Sequence, residues 1–518
     1  MKIVTAAQMQ ALDRRAIREA GIPSLVLMEQ AGTAVADAMT QRYGELRGRH
    51  VAIVCGKGHN GGDGLVVARI LAKRRARVRV FLLHRLSDLT ADSRTMYRRF
   101  VRYATSRAVV TGASSEQVAA GLAASDLTVD ALLGTGLSSP VTGPYGAAID
   151  HMNRTGHPIV AVDLPSGLHA DTGEILGQAV RADLTVTFGL PKLGLYLHEG
   201  IDHAGVVRIA DIGIPIDYVQ ALDSPLSLLT PEAVTRLLPV RRPSAHKGTF
   251  GHVGIIAGSP GKTGAAAMAA KAALRTGAGL VTVATPRGVN AVLECKLLEA
   301  MTYPVPDTTD QTFSLKGFDL LSSFITARSA VAIGPGISTQ SETVELVHRL
   351  LAQMERPCVL DADALNAVAG RPESLLRCRA PVILTPHPGE MARLVKTESS
   401  QTVNRDRLAT ALTFAQAHRA IVVLKGARTV LANPDGRLAI CPTGNPGLAT
   451  GGTGDVLTGM IVALLAQGLS AWDAACAATY LHGLAGDLAA SACGEMGMIA
   501  GDVIEHIPYA INQLSHKI

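Results

Sequence analysis

Between Gly444 and Met460 the chain reads GNPGLATGGTGDVLTGM, six glycines and one carboxylate, Asp455, in a short span. After Asp455 the apolar residues Val456, Leu457, Met460, Ile461 and Leu464 recur at helical spacing. A glycine-rich loop that opens a helix offers backbone N–H groups to an anion, and the helix dipole adds to the attraction. Asp455 is the one group in the loop able to take a proton. The stretch therefore reads as a phosphoryl-transfer site rather than a mobile surface turn.

A further set of polar residues stands where strands of the first half end. His50 to Cys55 (HVAIVC) reads as a buried strand feeding GKGHNGGDG, Gly56 to Gly64. Gly56, Gly58 and Gly61 satisfy the dinucleotide pattern G-x-G-x-x-G. The next strand, however, ends in His84 and Arg85 instead of a ribose-binding acid, and Asn60 and Asp63 exceed the needs of a phosphate cradle. We read a phosphate-approaching loop with added polar or metal ligands. Leu127 to Leu133 leads into Gly134–Pro140, and Pro158 to Asp163 leads into Leu164–Gly167. Ligands of open parallel sheets gather at the carboxyl ends of strands, so Asn60, Asp130 and Asp163 are expected to converge. Oxygen donors of this kind suit a hard cation, not zinc. The alternative is that these acids only cap loops and helices.

The elements that must hold these groups alternate. Thr5 with Gln8 makes a capping-box start for a helix bearing Met9, Leu12 and Ala16, and another helix is expected from Ser24 to about Gln41. A helix through Leu65 to Leu71 precedes a strand from Val78 to Leu83, and strands near Asp183–Phe188 and Val206–Ala210 complete the unit. Gly213 to about Thr230, with Pro215 and Pro225, reads as an interdomain linker. In the C-terminal half Gly261-Lys262-Thr263 imitates a P-loop ending, but Ile256 stands where its first glycine belongs, which excludes that loop. Alternation continues through helix 264–277, strand 279–284, strand 330–333 before Gly334–Gly336, and strand 358–360 before Asp361-Ala362-Asp363. Strand 381–385 precedes Thr385–Glu390, helix 402–417 follows, and strand 420–424 precedes Lys425-Gly426. This order predicts two α/β units of unequal size, 1–215 and 225–518, with mostly parallel sheets and helices on both faces.

Composition bounds the function. The 518 residues exceed one ordinary core, and 47% hydrophobic content with 52 glycines and 3% aromatics suits a glycine-rich α/β protein. No apolar run reaches the roughly 18 residues of a membrane helix, and Asp13, Arg14 and Arg15 interrupt any signal-peptide core. The seven cysteines form no Cys-x-x-Cys pair, which argues for a reducing cytoplasm. The net charge of +6 concentrates at Lys73, Arg74, Arg75, Arg77 and Arg79 without interleaved aromatics. A solvated helix end, or attraction for anionic metabolites, accounts for it better than nucleic acid. We expect small-molecule partners, no nucleic acid, no membrane and a homo-oligomer in the cytoplasm.

With these residues assembled, the chain resembles the bifunctional NAD(P)H-hydrate repair enzymes over nearly its whole length. The N-terminal unit is similar to their epimerase domain, a Rossmann-like three-layer fold, through HNGGDG, Asp130 with GTGL, and DLPSG. The C-terminal unit is similar to the ADP-dependent dehydratase, a ribokinase-like α/β/α fold, through HKG, GPG, DADAL, TPHPGE, KGART and NPGLATGGTGD. The resemblance implies that His59, Asn60, Gly61, Gly62, Asp63, Gly134, Thr135, Gly136, Leu137, Ser138, Ser139, Pro140 and Asp163 bind the hydrated nucleotide. It implies that Asn60, Asp130 and Ser166 hold potassium. In the C-terminal unit Ala265, Gly336, His387 and Asp455 would contact the hydrate. Lys425, Gly426, Ala427, Arg428, Thr429 and Gly454 would hold ADP, with magnesium.

The sequence departs from the family at His59 (asparagine is usual), Gln30 (asparagine), Lys262 (tyrosine) and Gly501 (often serine). Asp455 is expected to take the substrate hydroxyl proton during phosphoryl transfer, and Asp163 to be the acid/base of epimerisation, positioned by the potassium site. His387, between two prolines, reads as a ligand contact before a structural turn. Two rivals remain: a ribokinase-type kinase, marked by a stable phosphorylated product from ATP, and an N-terminal unit that only binds.

Overall fold

The computed structural model describes residues 1–103 and 108–515. Two compact units emerge, Lys2–Ser224 and Pro225–Ile518 together with Met1.

The first unit is built on seven strands in the order Val109–Thr111, Arg77–Leu82, His50–Cys55, Leu127–Ala131, Ile159–Val162, Leu184–Phe188, Val206–Ala210. All neighbours run parallel. The central strands are Val-, Ile- and Ala-rich and buried on both faces, as a sheet covered by helices on each side demands. One face packs Val51, Ile53, Leu65 and Val129; the other packs Ala52, Val54, Phe81 and Ala161. Strand order reverses between His50–Cys55 and Leu127–Ala131, so a crevice opens at their carboxyl ends. Those ends lead into the loop 134–140 and into residues 56–58, after which the loop expected to run to Gly64 is instead the start of the helix His59–Lys73.

The second unit has ten strands. Met301–Val305, Leu280–Pro286, His252–Ile256, Ala330–Ile333, Cys358–Leu360, Val382–Leu384 and Ile421–Leu424 lie parallel in that order. Val430–Ala432 and Leu438–Ile440 then extend the sheet antiparallel, and Leu226–Leu228 closes the edge parallel to Leu438–Ile440. An alanine-rich core joins the sheet to the helices Thr263–Arg275, Thr453–Ala466, Ala471–Cys493 and Ala500–Ser515. Small residues let two of these helices touch: a Cβ on Gly459 would stand 2.1 Å from the Ala269 carbonyl oxygen.

The capping box at Thr5 and Gln8 forms, opening the helix Ala6–Arg18. Three expectations are corrected. The single helix 402–417 is two, Ser400–Arg405 and Arg407–His418. Asp406 leaves the helical region (φ −147°, ψ 75°) and accepts the Ala409 N–H at 2.9 Å, capping the latter helix. The linker from Gly213 to Thr230 holds a short helix, Ile216–Gln220, and the strand Leu226–Leu228 that belongs to the ten-stranded sheet. Edge strands Val109–Thr111 and Met301–Val305, which the sequence pattern does not announce, are added.

The basic run ends the helix His59–Lys73, where Arg74 pairs with Asp37 and Lys73 lies 4.7 Å over the Tyr103 ring. No helix among the described residues is long and apolar enough to cross a membrane. All seven cysteines are free.

Candidate active sites

In the first unit the helix His59–Lys73 starts at the switch point without a side-chain cap, leaving the N–H groups of its first turn unsatisfied by the helix itself. The glycines there are required by close approach. A Cβ on Gly56 would stand 2.1 Å from the Leu132 carbonyl, and one on Gly61 would stand 2.0 Å from the Gly56 carbonyl. Asn60 Nδ2 donates to the Leu133 carbonyl at 2.8 Å, beside Gly134. Asp130, fully buried, accepts from Ser166 Oγ at 2.6 Å, from Ser166 N at 2.7 Å and from Leu132 N at 3.2 Å. Leu133 N donates to Ser166 Oγ at 2.9 Å. Asn60, Asp130 and Ser166 are thus one connected group. Asp130 has no basic partner among the described residues; burial pushes its pKa up to about 6, against the hydrogen bonds from Ser166 and Leu132. The loop Gly134, Thr135, Gly136, Leu137, Ser138, Ser139 and Pro140 lies next to this group, half-buried to exposed.

Asp163 ends its strand in the left-handed region (φ 66°), unusual for a residue with a side chain. Its Oδ1 accepts from Lys192 Nζ at 2.6 Å, Thr187 Oγ1 at 3.1 Å and Phe188 N at 3.2 Å. Lys192 is 1% exposed and also donates to the Phe188 carbonyl at 2.8 Å. The lysine and the neighbouring strand hold this carboxylate. Asp63, one turn into the uncapped helix, has its pKa held well above the usual carboxylate range by burial and by the charges of Asp163 and Asp13. His59 is exposed and 4.0 Å from Asp92.

In the second unit Gly452 takes a left-handed conformation (φ 94°) and Asp455 falls in the first turn of Thr453–Ala466. A Cβ on Gly454 would meet Lys425 Nζ at 3.1 Å and Asp361 Oδ2 at 3.9 Å, which sets Lys425 against the helix start. Asp361 is fully engaged: Lys425 Nζ at 2.9 Å, Thr385 Oγ1 at 2.8 Å and Thr458 Oγ1 at 2.8 Å. Glu390 lies 3.9 Å from Lys425. Burial draws the Lys425 pKa down, but Asp361 and Glu390 outweigh it and the net shift is upward. The Asp455 carboxylate accepts no hydrogen bond among the described residues. Burial, then the Asp361 charge, pushes its pKa up to about 7, with Lys425 opposing.

Gly336 and Ala265 are adjacent, since a Cβ on Gly336 would stand 3.5 Å from that of Ala265 and 2.7 Å from that of Lys262. Lys262 pairs with Asp363 at 2.9 Å. His387 caps the helix Pro388–Leu394: its Nδ1 accepts from Gly389 N at 3.0 Å and Glu390 N at 3.3 Å. That is a structural turn role, and the side chain stays half-exposed with Nε2 3.6 Å from Glu390 Oε1. Burial, Lys425 and Arg393 lower the His387 pKa. The loop Lys425, Gly426, Ala427, Arg428, Thr429 is braced from behind by Arg407, which donates to the carbonyls of Leu424 (2.9 Å), Lys425 (3.2 Å) and Ala427 (2.7 Å). The sequence alone assigns no role to Asp361, Glu390, Lys192 or Asp13. The motifs of Asp361 and Glu390 are visible in it, but a residue that works by pairing with a distant partner leaves no local pattern.

A family model described as NAD(P)H-hydrate dehydratase matches residues 253–509, and one described as YjeF-related protein N-terminus matches residues 24–194. The bifunctional NAD(P)H-hydrate repair enzyme of Moorella thermoacetica is 46% identical over 520 residues, covering 100% of this chain and 98% of that one. A ribokinase-like superfamily protein from Enterococcus faecalis, 25% identical, superposes with a TM-score of 0.50 over 57% of this chain and 98% of its own. An ADP/ATP-dependent NAD(P)H-hydrate dehydratase from Bacillus subtilis, crystallised with ATP and Mg2+, is 32% identical with a TM-score of 0.49, covering 56% of this chain and 98% of that one. The identity along the full length, with both family models in order, shows that the chain belongs to the bifunctional NAD(P)H-hydrate repair enzymes.

Proposed function

We propose that the second unit dehydrates the S form of hydrated NADH or NADPH at Asp455, using ADP, and that the first interconverts the R and S forms at Asp163. The observation that carries the first assignment is the contrast between two neighbouring acids. Asp361 is saturated by Lys425, Thr385 and Thr458, whereas the Asp455 carboxylate accepts no hydrogen bond among the described residues and its pKa is pushed up to about 7. A base poised near the working pH is the one suited to proton abstraction. Asp455 takes the hydroxyl proton as the substrate oxygen attacks the terminal phosphate of ADP, releasing AMP. Phosphate then departs with a proton from the adjacent ring carbon, restoring the double bond. The backbone N–H groups at Gly451–Gly454 and the Lys425 ammonium offset the charge that develops on the phosphoryl oxygens.

Among the described residues no three metal-ligating side chains of the His, Cys, Asp or Glu kind cluster together. Magnesium therefore fits as a companion of the nucleotide phosphates, its usual role in such sites. In the first unit the all-oxygen set of Asn60, Asp130 and Ser166 fits potassium, because Asp130 is a buried carboxylate with no cationic partner among the described residues. Bound there, the ion would neutralise that charge and anchor the loops after three strands. His59, Asn60, Gly61, Gly62 and Asp63, with Gly134 to Pro140, would receive the hydrated nucleotide at the uncapped helix start.

NADH hydrate incubated with enzyme, magnesium and ADP, ATP or no nucleotide tests the reading. Recovery of the reduced-nicotinamide absorbance with ADP is expected, and complete consumption of an R/S mixture faster than its unaided equilibration. Lack of recovery with every nucleotide, or a stable phosphorylated product from ATP, would overturn the dehydratase assignment.

A further inference from the structure

The helix Ala471–Cys493 carries HGLAGD at 482–487, a stretch with two polar side chains on an otherwise alanine-rich helix. The fold sets this stretch against both ends of the glycine-rich loop. At the entrance, Thr443 Oγ1 donates to the Tyr480 carbonyl at 2.9 Å. Gly444 N donates to Asp487 Oδ2 at 3.1 Å, and Asn445 Nδ2 donates to Asp487 Oδ1 at 2.9 Å. Asn445 Oδ1 extends the hold by accepting from Gly447 N at 3.0 Å. At the exit, His482 Nε2 lies 2.9 Å from the Thr453 carbonyl, and Thr453 Oγ1 donates to the Leu448 carbonyl at 2.9 Å. Burial pushes the His482 pKa down to about 4, so the ring is neutral. The carbonyl can only accept, which fixes the ring proton on Nε2.

Positions 480, 483 and 487, and 482 with 486, recur at intervals of three and four, so they share the side of the helix that meets the loop. Two glycines admit the loop there. A Cβ on Gly483 would run into the Thr443 side chain, and one on Gly486 would stand 2.8 Å from Leu448 Cδ2. Between the two anchors Ala449 and Gly451 stand exposed, ahead of the helix start that bears Asp455. Asp487 meets N–H donors and forms no ion pair among the described residues. A carboxylate at the foot of a loop that receives phosphate works against the charge of its ligand. What it supplies is acceptance through both oxygens, in charge-assisted bonds roughly twice as strong as neutral ones.

We propose that Asp487 and His482 are positioning residues of the dehydratase, which clamp the two ends of the loop so that the N–H groups at Gly451–Gly454 stay aimed at the phosphoryl group as it transfers. The proposal rests on the phosphoryl-transfer reading of this loop made above. N–H groups of this kind act most on the transition state. A loop displaced by about 1 Å therefore loses turnover ahead of nucleotide affinity.

Dehydration of NADH hydrate by the full-length protein with magnesium and ADP tests this. Turnover is counted per nucleotide-binding site by ADP titration, so that a partly unfolded sample does not pass for a slow one. In Asp487→Asn an amide NH2 group faces that of Asn445. The kcat is expected to fall about tenfold while the KM for ADP rises by less than about twofold. Exchanging the pair, Asp487→Asn with Asn445→Asp, restores an acceptor opposite each donor and should bring kcat back to within about threefold of wild type. His482→Phe removes the donor at the other end and should lower kcat likewise, whereas His482→Gln returns an N–H donor and should recover most of it. Should Asp487→Asn fail to fold, the two His482 variants are judged by the same measures. A wild-type kcat in Asp487→Asn or His482→Phe, a KM for ADP that rises as much as kcat falls, or an exchanged pair no faster than Asp487→Asn overturns the proposal. Asp455→Asn keeps the two readings apart: wild-type dehydration in that variant overturns the phosphoryl-transfer reading of the loop, whereas its loss beside a normal Asp487→Asn or His482→Phe protein overturns only the clamp.

Discussion

Two carboxylates in the second unit differ by partnership and not by kind. Asp361 is held by a lysine and two threonines, and Asp455 stands free at a helix start. Asp455→Asn should therefore leave nucleotide affinity intact and lower dehydratase kcat by a factor of hundreds or more, as steady-state kinetics and nucleotide titration would show. The pKa of Asp455 is raised to about 7, so the active, ionised base is lost as pH falls through 7 and kcat/KM should climb to a plateau above it. Lys425 opposes that rise, so Lys425→Met should move the midpoint upward, besides weakening nucleotide binding. In the first unit Lys192→Met leaves Asp163 buried with its partner gone, and a loss of about 3–5 kcal/mol is expected from denaturant unfolding of that unit. The loop-to-helix turn that carries Asp455 was legible because glycines, the acid and the helix lie in one stretch. Asp361–Lys425 and Asp163–Lys192 were not, because each pair joins residues 64 and 29 positions apart, which only the sheet brings together.

At the scale of elements, the strands before the site loops were readable because each is a short, mostly apolar run followed by a loop rich in glycine or polar residues. Three-residue edge strands such as Val109–Thr111 carry too few side chains for a period to register. The break at Asp406 was hidden by continuous helix-forming sequence on either side; the aspartate wins because its side chain caps better than it continues. That break aims the next residue, Arg407, at the carbonyls of Leu424, Lys425, Ala427 and Arg428. Arg407→Ala should raise the KM for ADP about tenfold or more while kcat changes less, since the loop loses its brace and not its reacting groups. Gly459→Ala should lower the midpoint of unfolding of the second unit. The added methyl would have to push the Ala269 backbone away from 2.1 Å, and overpacking of this kind costs about 1–3 kcal/mol.

The molecule as a whole joins two units that each own a sheet and a core. A protein comprising residues 225–518 should dehydrate the S hydrate with ADP and leave the R form, measured as a remainder of unreacted substrate in the absorbance assay. Omitting potassium from the whole chain should slow epimerisation and spare dehydration. The alternation of strands and helices made two units evident from the sequence. Their frontier was not, because Pro225 beside Leu226–Leu228 reads as a spacer until its pairing with Leu438–Ile440 is known. That pairing also has a temporal side. Leu226 leaves the ribosome 214 residues before Ile440, the end of its partner strand, counting from 226 to 440. At about 5–20 residues per second, roughly 10–40 s of synthesis pass with the edge Leu226–Leu228 unpaired. Nascent chains of this protein arrested before residue 438 would therefore carry an open apolar edge and be the species that holdase chaperones capture.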